Sequence, residues 1–404
     1  MAERNDDRCY INKYDAYSSN VANMVGQDGK LNEALGKSIQ KHIDLLLERL
    51  YQGLSEDEEN NYIVYTGIGG IAFLHLHLYE KLKQDRGQLE CALDCLRRPL
   101  KHLNGRKLSF LCGDAGPLAL AAVTYHKLGN KAGSSDCIKR LVSLYKDVIQ
   151  DPSLPDELLN GRVGYLYALL YVNTMIKPDT IDRDIILKVY KCVIDSGIHM
   201  SQQQGWRHPL MYAWHDKHYL GAAHGIAGIF YILMQVNDDS VKKYLEELIR
   251  PSIEYMLTLQ YPSGNGPSSI GSSSRDKLIH WCHGAPGWIH MFIMAYKIFG
   301  EDRYLQAAKS CSNVIWNRGL LKKGYGICHG IAGNGYAFLA MYKLTGEEQY
   351  LYQACKFAEF MMDKHRKPRI ADRPYSLFEG VAGTIYFLID LLDPKNAKFP
   401  AFDI

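Results

Sequence analysis

Gly330-Ile331-Ala332-Gly333-Asn334-Gly335-Tyr336-Ala337-Phe338-Leu339-Ala340 reads as a glycine step that opens an apolar helix. The same Gly-x-x-Gly step recurs at Gly67/Gly70, Gly113/Gly116, Gly161/Gly164, Gly225/Gly228, Gly284/Gly287 and Gly380/Gly383. Successive first glycines are 46, 48, 64, 59, 46 and 50 residues apart, a repeat of about 52. Most steps lead into a run such as Tyr165-Leu166-Tyr167-Ala168-Leu169-Leu170 or Ile229-Phe230-Tyr231-Ile232-Leu233, apolar all round and so buried on most faces. Between them lie amphipathic segments, with Ile39, Ile43, Leu46 and Leu50 on one stripe and Leu245, Leu248, Ile249, Ile253, Met256 and Leu257 on another. The second is expected to break at Pro251. One repeat accommodates an outer helix, a loop and an inner helix, so seven repeats predict about fourteen helices. Runs of period-two alternation are nearly absent. An all-α chain follows, with a closed ring of helical hairpins favoured over an open solenoid, because glycines at every inner-helix start permit close packing around a crowded centre.

The 404 residues are 47% apolar and 23% charged, a composition that excludes disorder as the dominant state. Lys plus Arg number 47 against 44 Asp plus Glu, so the net charge of +3 does not suggest nucleic-acid binding. No apolar run approaches a membrane span. The N-terminus, Met1-Ala2-Glu3-Arg4-Asn5-Asp6-Asp7-Arg8, has no signal-peptide core, and Ala2 stands where a myristoylation motif needs glycine. A cytoplasmic location is expected, with peripheral membrane association left open. Ten cysteines without a dense spacing pattern read as reduced thiols. Residues 1–404 are expected to form one domain, with 1–30 an extension packed on it. Glu56-Asp57-Glu58-Glu59 reads as a solvated loop, and the stretch from Tyr261 to Ser274 as a loop that borders a site or merely spaces two repeats.

The residue before each first glycine should lie on one rim of the ring. Those residues are Thr66, Cys112, Asn160, His224, His283, His329 and Glu379, none of them aliphatic, so this rim is where a site would be built. Two of the steps add a cysteine, giving Trp281-Cys282-His283-Gly284 and Cys328-His329-Gly330. Thiolate and imidazole donors from neighbouring repeats point to one zinc ion held by Cys282, Cys328 and His329. His283 as a fourth ligand would close the site and make it structural. An open site of this kind suits thiol activation, the metal taking the place of the thiol proton while electron-rich ligands keep the sulfur nucleophilic. His224, on the same rim one repeat earlier, is the candidate acid/base, or else a hydrogen-bonded structural histidine. Asp114 is read as a helix N-cap in preference to a rim carboxylate.

Together, the seven glycine steps, Ala223-His224-Gly225, Trp281-Cys282-His283-Gly284, Cys328-His329-Gly330 and Ser376-Leu377-Phe378-Glu379-Gly380 resemble the LanC-like proteins, eukaryotic relatives of bacterial lanthionine cyclases, and most closely the glutathione-binding members. The resemblance runs from about Tyr10 to Phe402. It implies a double-layered α/α toroid of seven inner and seven outer helices, with zinc on Cys282, Cys328 and His329. It also implies an acid/base at His224 and glutathione contacts at Lys323 and at Arg369, Ile370, Ala371 and Asp372. Lys323 and Arg369 suit the two glutathione carboxylates, and Asp372 the ammonium. The implied activity is glutathione transferase-type addition of the thiol to dehydroalanine or dehydrobutyrine in proteins or peptides. The alternative is a non-catalytic zinc-containing glutathione sensor or adaptor for signalling proteins. A prenyltransferase-like α/α barrel is disfavoured, since its acidic zinc ligand is missing and there are seven repeats. The third repeat reads Leu158-Leu159-Asn160-Gly161-Arg162, so no carboxylate is expected beside His224, and cyclase activity proper is not expected.

Overall fold

The apolar runs after the glycine steps become the inner layer. In the computed structural model, which describes residues 7–18, 31–54, 60–82, 84–272, 276–366 and 368–404, helix α1 spans Glu33–Gly53 and α2 spans Ile68–Lys81. Next come α3 (Arg86–His102), α4 (Ala115–Lys127), α5 (Lys131–Ser143), α6 (Tyr145–Gln150), α7 (Arg162–Met175), α8 (Arg183–Gln204) and α9 (Ile226–Leu233). The series ends with α10 (Arg250–Leu259), α11 (Ala285–Phe299), α12 (Asp302–Arg318), α13 (Ile331–Thr345), α14 (Glu348–Met362) and α15 (Val381–Leu392). Only isolated β-bridges occur among the described residues.

Helices α2, α4, α7, α9, α11, α13 and α15 each follow a glycine step and pack side by side, and α15 returns to α2. The ring is closed. In α7 every residue from Arg162 to Val172 is buried, as expected of a helix with neighbours on both sides and an outer layer behind it. Each inner helix that is tightly paired turns back into the outer helix that follows it, as in α2 with α3, α4 with α5, α11 with α12 and α13 with α14. The structural hairpin is therefore inner then outer, and α1, first in the chain, covers α15, last in the ring. A short-range turn joins each hairpin, whereas closure depends on the two ends of the chain meeting.

The second glycine of each step has a packing reason. A Cβ on Gly228 would lie 1.9 Å from the Ala222 carbonyl oxygen, and one on Gly333 1.9 Å from that of Ile327. The same overlap, always with the carbonyl six residues earlier, recurs at all seven steps. The loop leading into each inner helix thus lies directly on that helix. Gly333→Ala is expected to lose about 3 kcal/mol or more of stability, the upper range for overpacking, because backbone cannot yield as a side chain does. A urea denaturation midpoint within error of wild type would refute this.

Pro251 does not break its helix. It sits in the first turn of α10, and the turn ahead of it, Leu245–Ile249, is a π-helical segment that carries the chain on without interruption. The wider turn removes the need for the hydrogen bond that proline cannot donate. Asp114 occupies the N-cap position of α4, but its side chain makes no capping bond. Its Oδ2 instead accepts from the amides of Asn104, at 2.9 Å, and Gly105, at 2.7 Å, so it fastens the preceding turn.

At the end of the chain, Phe399 and Phe402 are fully buried inside the ring, with their rings 5.0 and 5.4 Å from Trp281. The tail fills the core behind the residue that precedes Cys282. Residues 7–18 run over the outside, where the Tyr10 amide bonds the Leu320 carbonyl and Tyr14 packs on Trp316. Residues 19–30, the acidic run 56–59 and positions 273 and 274 of the Tyr261–Ser274 stretch lie outside the described residues.

Candidate metal and thiol-activation site

All seven inner helices begin at one rim, so their N-terminal dipoles favour negative charge there, including thiolates. The residues two places before each first glycine are Tyr65, Leu111, Leu159, Ala223, Cys282, Cys328 and Phe378. Their backbones form part of a circular ladder. The amide of Cys282 bonds the carbonyl of Cys328 at 3.2 Å, Cys328 bonds Phe378 at 2.8 Å, Phe378 bonds Tyr65 at 3.1 Å, and Tyr65 bonds Leu111 at 2.9 Å. Residues more than three hundred positions apart, Phe378 and Tyr65, are thereby held edge to edge.

This ladder brings the two cysteines together. One donor atom each from Cys282, Cys328 and His329 lies within 4.8 Å of the others, with both thiols buried and the imidazole partly exposed. Burial, then the neighbouring Cys282, push the Cys328 thiol well above its ordinary pKa, with the His329 imidazole opposing them. Two crowded thiols and an imidazole fit a thiophilic dication, which replaces the thiol protons and removes the repulsion between the sulfurs. His283 lies outside this group. Its buried Nδ1 has no partner among the described residues, and its ring stands 6.4 Å from that of His224 and 5.7 Å from Tyr219. Burial and the neighbouring His224 lower its pKa to about 4, keeping it neutral.

His224 has a carboxylate partner after all. Its Nδ1 is 3.0 Å from Glu157 Oε2, with His224 partly exposed and Glu157 buried. The rim position itself is Asn160, as the sequence requires, but the acid reaches in from three residues earlier. The Glu157 side chain folds back over its own turn and accepts the amides of Leu159 at 2.7 Å and Asn160 at 2.6 Å. Beneath it, the buried pair Arg162–Asp156, at 2.8 Å, is reinforced by Arg162 donating to the carbonyls of Val148, Leu154 and Asp151. That anchor fixes the turn. With Nδ1–H donating to Glu157, the free Nε2 can exchange a proton in the partly open rim. The sequence missed this pair because the carboxylate lies outside the repeating column.

The Tyr261–Ser274 stretch borders the rim. Tyr219, whose ring is 5.9 Å from His224, bridges to Ser269, and Leu220 donates to Ser268. Lys323 and Arg369 are exposed, and their segments meet: a Cβ on Gly324 would stand 3.6 Å from the Arg369 carbonyl oxygen. A cavity of about 790 Å³ takes in Arg369, Ile370 and Ala371 and extends to Gly326 and Glu379, but Lys323 and Asp372 lie outside its lining. The side chain of Ile370 is largely exposed.

The model of the lanthionine synthetase C-like protein family matches residues 58–404. The chain belongs to that family. A glutathione S-transferase LANCL1 from Danio rerio is 45% identical over 99% of this chain and 100% of its own length. Among solved structures, nisin cyclase superposes with a TM-score of 0.63 over 89% of this chain and 94% of its own, at 16% identity, which is a likeness of fold. The all-α toroid expected of a LanC-like chain is the architecture found here. No helix among the described residues is long and apolar enough to cross a membrane.

Proposed function

We propose that this protein holds one zinc ion on Cys282, Cys328 and His329 and adds the thiol of glutathione to dehydroalanine or dehydrobutyrine in proteins. The observation that carries the reading is the buried Cys282–Cys328–His329 group on the same rim as a carboxylate-oriented histidine. Support also comes from the name of the Danio rerio relative. His283, standing apart from the three donors, favours an open metal site over the closed one of a sensor or adaptor.

When bound, zinc supplies a thiolate at neutral pH in place of a thiol. The protein's own groups do the rest. His224 Nε2 takes the proton that glutathione's sulfur gives up, and Glu157 steadies the resulting imidazolium through Nδ1. The sulfur bonds to the β-carbon of the dehydroamino acid, the alkene π pair moves toward the carbonyl as an enolate, and His224 returns its proton to the α-carbon. The net change is addition of S–H across the double bond, so atoms and charge balance. Lys323 and Arg369 hold the glutathione carboxylates and Asp372 its ammonium, while the backbone at Ile370 and Ala371 lines the entrance.

The test is mass-spectrometric detection of glutathione added to a dehydroalanine peptide by the zinc-loaded protein. Tight glutathione binding with zinc but no addition would instead support the sensor. Lys323→Ala and Arg369→Ala are each expected to raise KM for glutathione about 10-fold or more, the cost of one charge-assisted hydrogen bond, with zinc content unchanged. An unchanged KM in both would remove these residues from the glutathione site.

A further inference from the structure

Tyr65 holds, in the first repeat, the position that Cys282 and Cys328 hold in the fifth and sixth, two residues before the first glycine. It lies on the same circular ladder, its carbonyl accepting from Phe378 and its amide donating to Leu111. Its ring stacks on Phe378 at 4.8 Å. The side chain thereby reaches over the seventh repeat, and its hydroxyl donates to Cys328 Sγ at 2.9 Å.

We infer that Tyr65 is a positioning residue that distinguishes the two cysteines of the metal site. This rests on the function proposed above. Three sulfurs would meet there, those of Cys282, Cys328 and glutathione, and each is a nucleophile toward a dehydroamino acid. A hydrogen bond donated to a thiolate withdraws electron density from it and occupies a lone pair, so it lowers that sulfur's reactivity. Attack by Cys328 would form a bond from its Sγ to the electrophile's β-carbon, send the π pair to the α-carbon to be protonated, and destroy the metal site. The Tyr65 hydroxyl opposes that reaction at Cys328 and also fixes the direction in which its Sγ points. Tyr65 acts through Cys328 and touches no substrate.

Tyr65→Phe removes the hydroxyl and keeps the stacking on Phe378, so a purely packing role would leave every readout in place. Cobalt(II) loaded into wild type and variant reports on the thiolates through their sulfur-to-metal charge-transfer bands. The variant's band is expected to move to lower energy. Iodoacetamide treatment of the zinc-loaded proteins without glutathione, read by peptide mapping, is expected to show Cys328 alkylated about 10-fold faster in the variant, with Cys282 little changed. Unmoved bands together with an unchanged Cys328 rate would overturn the role of Tyr65 while leaving the zinc reading intact. A wild-type protein that takes up no cobalt and no zinc would overturn both.

Discussion

Cys328→Ala protein is expected to be purified with almost no zinc, against about one per chain in wild type, and to show no measurable glutathione addition. The substitution leaves Cys282 and His329, one thiolate and one imidazole, too few soft donors to retain the ion against chelators in solution. Loss of the metal removes the means of making thiolate at neutral pH, worth about 2 kcal/mol or roughly 30-fold for a thiol of pKa about 8.5, and also the means of positioning the sulfur, so that the two together cost about 10³-fold in rate. Stability should fall too, because ligands that bind only the folded state stabilise it, and because the partly buried Tyr65 hydroxyl loses its acceptor. Adding a chelator to wild type should reproduce the rate loss and a lowered melting temperature, and restoring zinc should reverse both. If Cys328→Ala retained zinc and conjugating activity, the metal centre proposed here would be wrong.

Glu157→Gln is expected to lower kcat for addition by about 10²- to 10⁴-fold at unchanged zinc content, the usual contribution of a positioned general acid/base, whose upper end is reached when the acidic partner of a triad histidine is neutralised. In the native protein Glu157 accepts three donors, the amides of Leu159 and Asn160 and Nδ1 of His224. A glutamine has one accepting oxygen, and its amide nitrogen would face either a backbone N–H or the imidazole. His224 would then lose its preferred tautomer and the group that steadies its cation. His224→Asn and the double variant separate the two roles, since residues acting as a unit give non-additive losses. If the double variant lost the product of the two single losses, or if Glu157→Gln stayed within a few-fold of wild type, His224 and Glu157 would not act together.

The repeating layout was legible in the chain because the close approach it needs admits glycine alone. At each step a Cβ would overlap a backbone carbonyl, so Gly70, Gly116, Gly164, Gly228, Gly287, Gly333 and Gly383 mark the seven inner helices without reference to any other residue. The rim column was legible for the same reason, since equal offsets from equivalent glycines land on one edge of a ring. Cys282, Cys328 and His329 could therefore be brought together on paper. Pro251 misled because a π-helical turn at Leu245–Ile249 absorbs the missing donor, a backbone adjustment that no residue type announces.

What sequence alone determined, then, was everything carried by a local constraint repeated seven times: all-α class, ring of hairpins, polar rim and donor set. Only the tertiary structure decided the contacts that cross between repeats or leave the repeating column. Glu157 reaches His224 because its turn folds back on the buried Arg162–Asp156 pair. Tyr65 reaches Cys328 because closure of the ring places the first repeat two positions from the sixth. The tail places Phe399 and Phe402 behind Trp281 because the ring's centre must be filled. Such contacts depend on side-chain reach and ring closure, physical quantities that arise from the packed whole and leave no periodic mark along the chain.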